Sequence, residues 1–414
     1  MVIDNSIFGI QKQSLADLQN ISYKFPYNHP ISLLDEIEQD SINVISKYLG
    51  ANEGEVLGYI TSGGTEGNLA SLWYSKRYLI NQSNDIIIKL QEKITNPLST
   101  ELAKLKAEKE IYFIKRPIVI CSSHTHYSIK KICEVLSLDI IFVDVDELGE
   151  IDPNKFEMEL VNQIKLFPLR GVIAVGTVGT TTHSGFDNIK IMNEILIKHT
   201  CNTEVNFTIH ADAAFLGLLL PVIKPYGDNV KNYFKDLNVN TLSISGYKFL
   251  GISVCGITLV TSDIYKKAFN KEFCQGDLRL VDDTTISTSR KGINILQVHH
   301  AVYSIKLHEG THLVQDMFDI NMHNTQYFYD KLTKFFGNDQ VVWNKKAFNI
   351  LFPKLPQRYI SKYCLMPAQM NKCSVSVLMN VDKNLIDKFL NEMKNDEEVL
   401  QSINKEMKIN NPKF

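Results

Sequence analysis

The sequence predicts an α/β fold: a mainly parallel sheet with helices on both faces, followed by a small C-terminal α/β domain. Three observations predict it. From Gly58 to about Arg290, short β-branched apolar runs alternate with helical stretches, as in parallel strands joined by crossover helices. From about residue 297 the pattern changes to a long helical run and then short strands. The chain has 414 residues, 44% hydrophobic and 22% charged, enough for one large and one small domain with a sizeable core.

Residues 1–57 read as a helical arm. In ISLLDEIEQDSINVISKYLG, residues Leu33, Leu34, Ile37, Ile42, Ile45 and Leu49 fall near helical spacing and the run stops at Gly50. Such an arm needs a surface on which to bury its leucines. Residues 58–296 form the large domain, with a helical insertion at about 81–117. Asn96-Pro97 breaks that insertion into a hairpin. Leu98, Leu102 and Leu105 share one helix face, with Ser99 or Thr100 as cap. It reads as a surface hairpin or as a partner-binding or substrate-gating element. Residues 297–414 carry a long helical pattern through KLTKFF. In the terminal domain VVWN, AFNILFPKL and SVSVLMNV read as strands and LIDKFLNEMKN as a helix.

Five segments carry chemistry. GYITSGGTEGNLASLW (Gly58–Trp73) runs from a strand into Ser62, Gly63, Gly64 and Thr65, and then into a helix. Glycines admit an anion close to the backbone, and a helix N-terminus attracts phosphate. Taken alone, the segment reads equally as a capped glycine turn. VICSSHTHYSIKKICEVL (Val119–Leu136) delivers His126 to a strand-to-helix turn, where an imidazole can lie flat on an aromatic ring or simply cap the helix. GVIAVGTVGTTTHSGFDNI (Gly171–Ile189) ends a buried strand in Thr180, Thr181 and Thr182. Their hydroxyls can bond a phenolic oxygen or a carboxylate, or only close a turn. HADAA (His210–Ala214) and SISGYK (Ser243–Lys248) place an Asp and a Lys near the ends of two strand-like runs. An acid and an amine at one sheet edge can serve a pyridine-type cofactor, the acid at the ring nitrogen and the amine at the aldehyde.

Together TSGGTEGN (61–68), THYSIKKI (125–132), GTVGTTTHSGFDNI (176–189), HADAA, SGYK (245–248) and TISTSRKG (285–292) resemble the group II pyridoxal-phosphate-dependent amino-acid decarboxylases, most of all the histidine and serine decarboxylase branch. The resemblance runs in order from about residue 40 to about residue 300. It implies a fold type I enzyme with a seven-stranded sheet, and pyridoxal 5'-phosphate as cofactor. Carried over residue by residue, it implies Lys248 as the Schiff-base lysine and Asp212 at the pyridinium nitrogen. Ala214 and His126 would lie on the two ring faces, and Gly63, Gly64, Thr65 and Ser245 at the phosphate. Thr180 would lie near the ring hydroxyl, with His210 supporting Asp212. Ser289, Arg290 and Gly292 would reach in from the partner of a homodimer. The substrate would be a small L-amino acid, histidine foremost.

The chain departs from the family at two places. Tyr247 stands where the family usually has His before the lysine, so it joins the cofactor-binding set as a neutral donor. The segment 270–290, NKEFCQGDLRLVDDTTISTSR, lacks the Tyr expected to protonate the α-carbon; Phe273 stands in that region. Aldehyde formation, carbon–carbon lysis and serine decarboxylation therefore stay open beside histidine decarboxylation, as does a weakly active binding paralogue.

A net charge of −2 gives no case for nucleic acid or an anionic membrane. Two His in three residues without an Asp or Cys partner at ligand spacing give none for zinc. Seven Cys without a CxxC pair suggest free thiols in a reducing compartment. The N-terminal residues show no basic start or apolar core of a signal peptide, and no apolar run reaches membrane-spanning length, so a cytoplasmic enzyme is expected.

Overall fold

The computed structural model describes residues 33–269, 284–287, 290–369 and 371–401. Strands β1 (Val56–Thr61), β2 (Ile118–Ser122), β3 (Asp139–Val143), β4 (Val172–Thr177), β5 (Phe207–Asp212), β6 (Thr241–Ser245) and β7 (Gly256–Thr261) form one seven-stranded sheet. Their order is β1-β7-β6-β5-β4-β2-β3. Pairings from β3 through β6 are parallel, while β7 is antiparallel to both its neighbours. The mainly parallel sheet expected from the sequence is therefore present.

Successive residues of a strand point to opposite faces. In β2, Ile118 and Ile120 enter one core cluster and Val119 and Cys121 another. In β4, Val172 and Ala174 split from Ile173 and Val175 in the same way. Both faces are thus covered, and this is why these strands read as unbroken apolar runs.

The helix Leu33–Tyr48 buries Leu34, Ile42 and Ile45, and Leu49 just beyond it, in the large-domain core. Its apolar stripe is covered within its own chain, so the stripe makes no demand for a partner. Residues 1–32 of the expected arm lie outside the described residues.

The insertion is a hairpin of two helices, Asn84–Thr95 and Glu101–Ile114. Thr100 caps the second, its hydroxyl accepting from Ala103 N at 3.3 Å. The buried face differs from the expected one. Ile87, Leu90, Ala107 and Ile114 make its core, whereas Leu98, Leu102 and Leu105 are exposed.

The helical pattern after residue 297 is likewise two helices, Gly292–Ser304 and His312–Phe336. Lys306 at φ 53° and Gly310 at φ 115° take left-handed backbone that no continuous helix accommodates. The second helix packs on a four-stranded antiparallel sheet of order β10-β11-β9-β8: β8 Val342–Trp343, β9 Asn349–Pro353, β10 Met366–Ala368, β11 Lys372–Ser376. The helix Lys383–Lys394 completes this small domain.

Candidate active site

Strands β1, β2, β4, β5 and β6 run in one direction, so their C-terminal ends share one sheet edge, the usual ligand edge of open α/β sheets. A pocket there is lined by Gly64, Thr65, Asn68, His126, Asp212, Ala214, Ser245, Tyr247 and Lys248. Tyr127, Thr177, Gly179, Thr181 and Phe215 complete its wall.

Asp212 is the last residue of β5 and is buried. Both carboxylate oxygens are held: Oδ1 accepts from Ala214 N at 3.2 Å and Oδ2 from Asn68 Nδ2 at 2.9 Å. Lys248 lies in the short helix Gly246–Leu250 that follows β6. Burial lowers its pKa, and the Asp212 charge opposes that shift. More of the amine is therefore neutral, as a nucleophile requires.

His126 caps the helix Tyr127–Leu136, its Nδ1 accepting from Ser128 N at 3.3 Å and lying 2.7 Å from Ser128 Oγ. Burial lowers its pKa; Asp212 opposes this, while Lys248 and Lys131 reinforce it. At the other end of the pocket, the helix Gly64–Gln82 begins with N–H groups that lack intrahelical carbonyls. A Cβ at Gly64 would overlap the Ser245 hydroxyl, so glycine keeps this cradle open.

Several expected residues lie elsewhere. Gly63 precedes the helix as its N-cap and is not in the pocket wall. Thr180 is buried behind the wall, where its Oγ1 accepts from Gly185 N at 2.9 Å and closes the turn. Thr181 and Thr177 line the pocket wall in front of it. His210 is also behind the wall and reaches Asp212 only through Asn68, with Nε2 3.0 Å from Asn68 Oδ1.

Arg290 is buried in its own chain, paired with Glu38, donating to Ile60 O at 3.1 Å and lying over the Tyr59 ring. Its guanidinium is engaged by groups of its own subunit. Gly292 opens the helix Gly292–Ser304 and is buried. Ser289 and Phe273 lie outside the described residues.

Asn68, Thr177 and Phe215 were not singled out from sequence. Asn68 had a signal: it closes TSGGTEGN and falls four residues after Gly64, on the same helix face.

A largely buried amine, a carboxylate fixed on both oxygens, an imidazole and a cradle of backbone N–H and hydroxyl groups fit pyridoxal 5'-phosphate in charge and order. Its phosphate would be held where Gly64, Thr65 and Ser245 line the pocket. Residues 33–353 match the pyridoxal-dependent decarboxylase conserved domain. The chain belongs to that family. Its cofactor is pyridoxal 5'-phosphate and its chemistry is decarboxylation of an amino acid.

A histidine decarboxylase of Pseudomonas entomophila is 25% identical over 372 residues, 89% of this chain and 78% of that protein. A tryptophan decarboxylase of Clostridium sporogenes is 27% identical over 273 residues, 64% of this chain and 55% of that protein. An L-methionine decarboxylase structure from Streptomyces sp.590 is similar with TM-score 0.70 at 17% identity, covering 93% of this chain and 88% of that one. At that identity the likeness is one of fold. Among the described residues, no helix is long and apolar enough to cross a membrane and no cluster of three metal-ligating side chains occurs.

Proposed function

We propose that this decarboxylase acts on a small L-amino acid, histidine foremost, and releases the amine and carbon dioxide. The observation that carries this reading is the convergence of Lys248, Asp212 and His126 on one pocket. Support for histidine comes from the relatives named as histidine decarboxylases, such as that of Pseudomonas entomophila.

When bound, pyridoxal phosphate supplies an electron sink for the pair left as carbon dioxide departs. The residues around it have separate tasks. Lys248 supplies the anchoring amine, which burial keeps more neutral. Asp212 would hold a proton at the ring nitrogen. His126 and Ala214 would bound the cofactor's ring. Gly64, Thr65 and Ser245 would hold the phosphate. Tyr247 lines the pocket next to Lys248, and we assign it to protonate the α-carbon in place of the absent loop tyrosine.

We further propose a homodimer in the cytoplasm. Tyr127, Tyr247 and Val254 are large side chains left exposed at or near the pocket, and a second subunit would cover them. Cys121, Cys133, Cys255 and Cys373 are buried free thiols, which suits a reducing compartment. A second reading is serine decarboxylation, or an aldehyde-forming or carbon–carbon lyase reaction in the same pocket. The tyrosine-free segment 270–290 favours the aldehyde-forming reaction among these.

The deciding experiment is a screen of the common L-amino acids for carbon dioxide release, with product identification. Histamine from histidine as the preferred product supports the first reading. Aldehyde as the main product supports the second. Phe273→Tyr should then raise the amine-to-aldehyde ratio, and Tyr247→Phe should lower it. Sedimentation of an active monomer would overturn the dimer.

A further inference from the structure

We propose that Asn68 is a positioning residue for this reaction, clamping Asp212 while the neutral imidazole of His210 orients the clamp. The proposal rests on the reading that Asp212 serves the ring nitrogen.

The donors and acceptors leave one arrangement. An ionised carboxylate only accepts hydrogen bonds, so the amide end of Asn68, 2.9 Å from Asp212 Oδ2, must be its NH2. The Asn68 carbonyl then faces Ser243 Oγ and His210 Nε2, the latter at 3.0 Å. Both must donate. His210 therefore carries its proton on Nε2, and its bare Nδ1 accepts from Thr241 Oγ1 at 3.0 Å. Asn68, His210, Thr241 and Ser243 are all buried. Burial lowers the His210 pKa to about 4, so the relay is uncharged at neutral pH.

An uncharged clamp has a consequence. Asp212 is oriented without a neighbouring cation on this side to share its charge, which stays available to a proton at the ring nitrogen. The same Asn68 NH2 lies 3.4 Å from Ser128 Oγ, the group beside His126 Nδ1. One amide thus links Asp212 to Ser128 and, through it, to His126.

The first test uses the apoprotein. Nitrogen-15 NMR should show His210 as the neutral Nε2–H tautomer between about pH 5.5 and 7.5, where an unperturbed imidazole titrates. In the holoenzyme, Asn68→Leu should lose roughly tenfold to a hundredfold in kcat, the factor for one hydrogen bond to a charged group. KM should stay within about threefold, since substrate binding is not what the clamp serves. His210→Gln can still donate to Asn68 and should hold kcat within about threefold, while His210→Ala should lose about tenfold. The visible band of bound cofactor should shift in Asn68→Leu and His210→Ala but not in His210→Gln.

If Asn68→Leu does not fold, the His210 pair and the tautomer decide. An Nδ1–H tautomer overturns the proposal. So do lowered melting temperatures with unchanged kcat per bound cofactor, the mark of a merely structural role. Failure of the underlying reading looks different: Asp212→Ala would keep near-normal turnover with cofactor bound, while the His210 tautomer would stand.

Discussion

His126 Nδ1 lies 2.7 Å from Ser128 Oγ, so the imidazole that faces the pocket is oriented by the first turn of the helix it caps. Ser128→Ala removes that partner and leaves the backbone N–H of residue 128 donating to Nδ1 at 3.3 Å. A neutral hydrogen bond contributes about 0.5–1.5 kcal/mol, so kcat should fall roughly twofold to tenfold with cofactor still bound. Steady-state kinetics on cofactor-saturated variant checks this. Unchanged kcat would show that the backbone contact alone orients the ring.

Lys248 should carry the cofactor. Burial lowers its pKa, so at about pH 8 it should outcompete ordinary surface lysines for an aldehyde. Borohydride reduction followed by peptide mapping should find the pyridoxyl group on Lys248. A label on any other lysine refutes the site.

Two neighbouring glycines should behave differently. A Cβ at Gly64 would overlap the Ser245 hydroxyl, whereas at Gly63 it would meet only Val254 Cγ1 at 3.8 Å. The hydroxyl can rotate away, so Gly64→Ala should fold but lose a phosphate contact. Loss of one charge-assisted hydrogen bond predicts at least about a tenfold weaker cofactor Kd. Gly63→Ala should stay within about threefold. Titration of the two apoproteins with pyridoxal phosphate measures both, and equal affinities would remove the cradle from Gly64.

His183 should make stability depend on pH. Burial lowers its pKa to about 4, with His124 and Lys372 acting in the same direction and Asp146 against it. An unfolded histidine titrates near about 6.5, so between the two values the unfolded chain binds a proton that the folded chain refuses. The stabilisation is complete above about pH 6.5 and is lost as the pH falls toward about 4. His183→Gln removes this dependence. Its melting temperature, relative to the unsubstituted protein, should rise as the pH drops from about 7.5 to 5 in calorimetry. A gap that stays constant over that range contradicts the burial account.

The insertion hairpin should tolerate change on one face only. Leu90 is 4% exposed and Leu98 is 92% exposed. Leu90→Ala should cost about 2–5 kcal/mol, through lost burial and a cavity. Leu98→Ser should stay within about 0.5 kcal/mol. Urea unfolding of both variants tests this, and equal losses would mean that Leu98 is covered in solution.

Much of the fold was legible because its signals are local. Parallel strands buried on both faces write themselves as unbroken β-branched runs, as in β2 and β4. The ends of strand-like runs placed His126, Asp212 and Lys248 near strand-to-helix junctions, a glycine turn marked Gly64, and the family resemblance supplied Ser245. The two helices after residue 291 were read as one, because Lys306 carries no mark of the left-handed conformation it adopts.

By itself, the sequence determined the order of strands and helices and which junctions carry chemistry, since periodicity and turn composition are properties of chain neighbours. Only the tertiary structure decided which hydroxyl of the Thr180–Thr181 pair faces the pocket, for one residue's difference on a turn reverses the side chain. Only it decided that Arg290 pairs with Glu38, 252 residues away in the chain. And only it joined Asn68 to His210 and Asp212, 142 and 144 residues distant. Those contacts arise where a helix crosses two strand ends, and a buried amide there must find its partners among whichever groups the fold brings within about 3 Å.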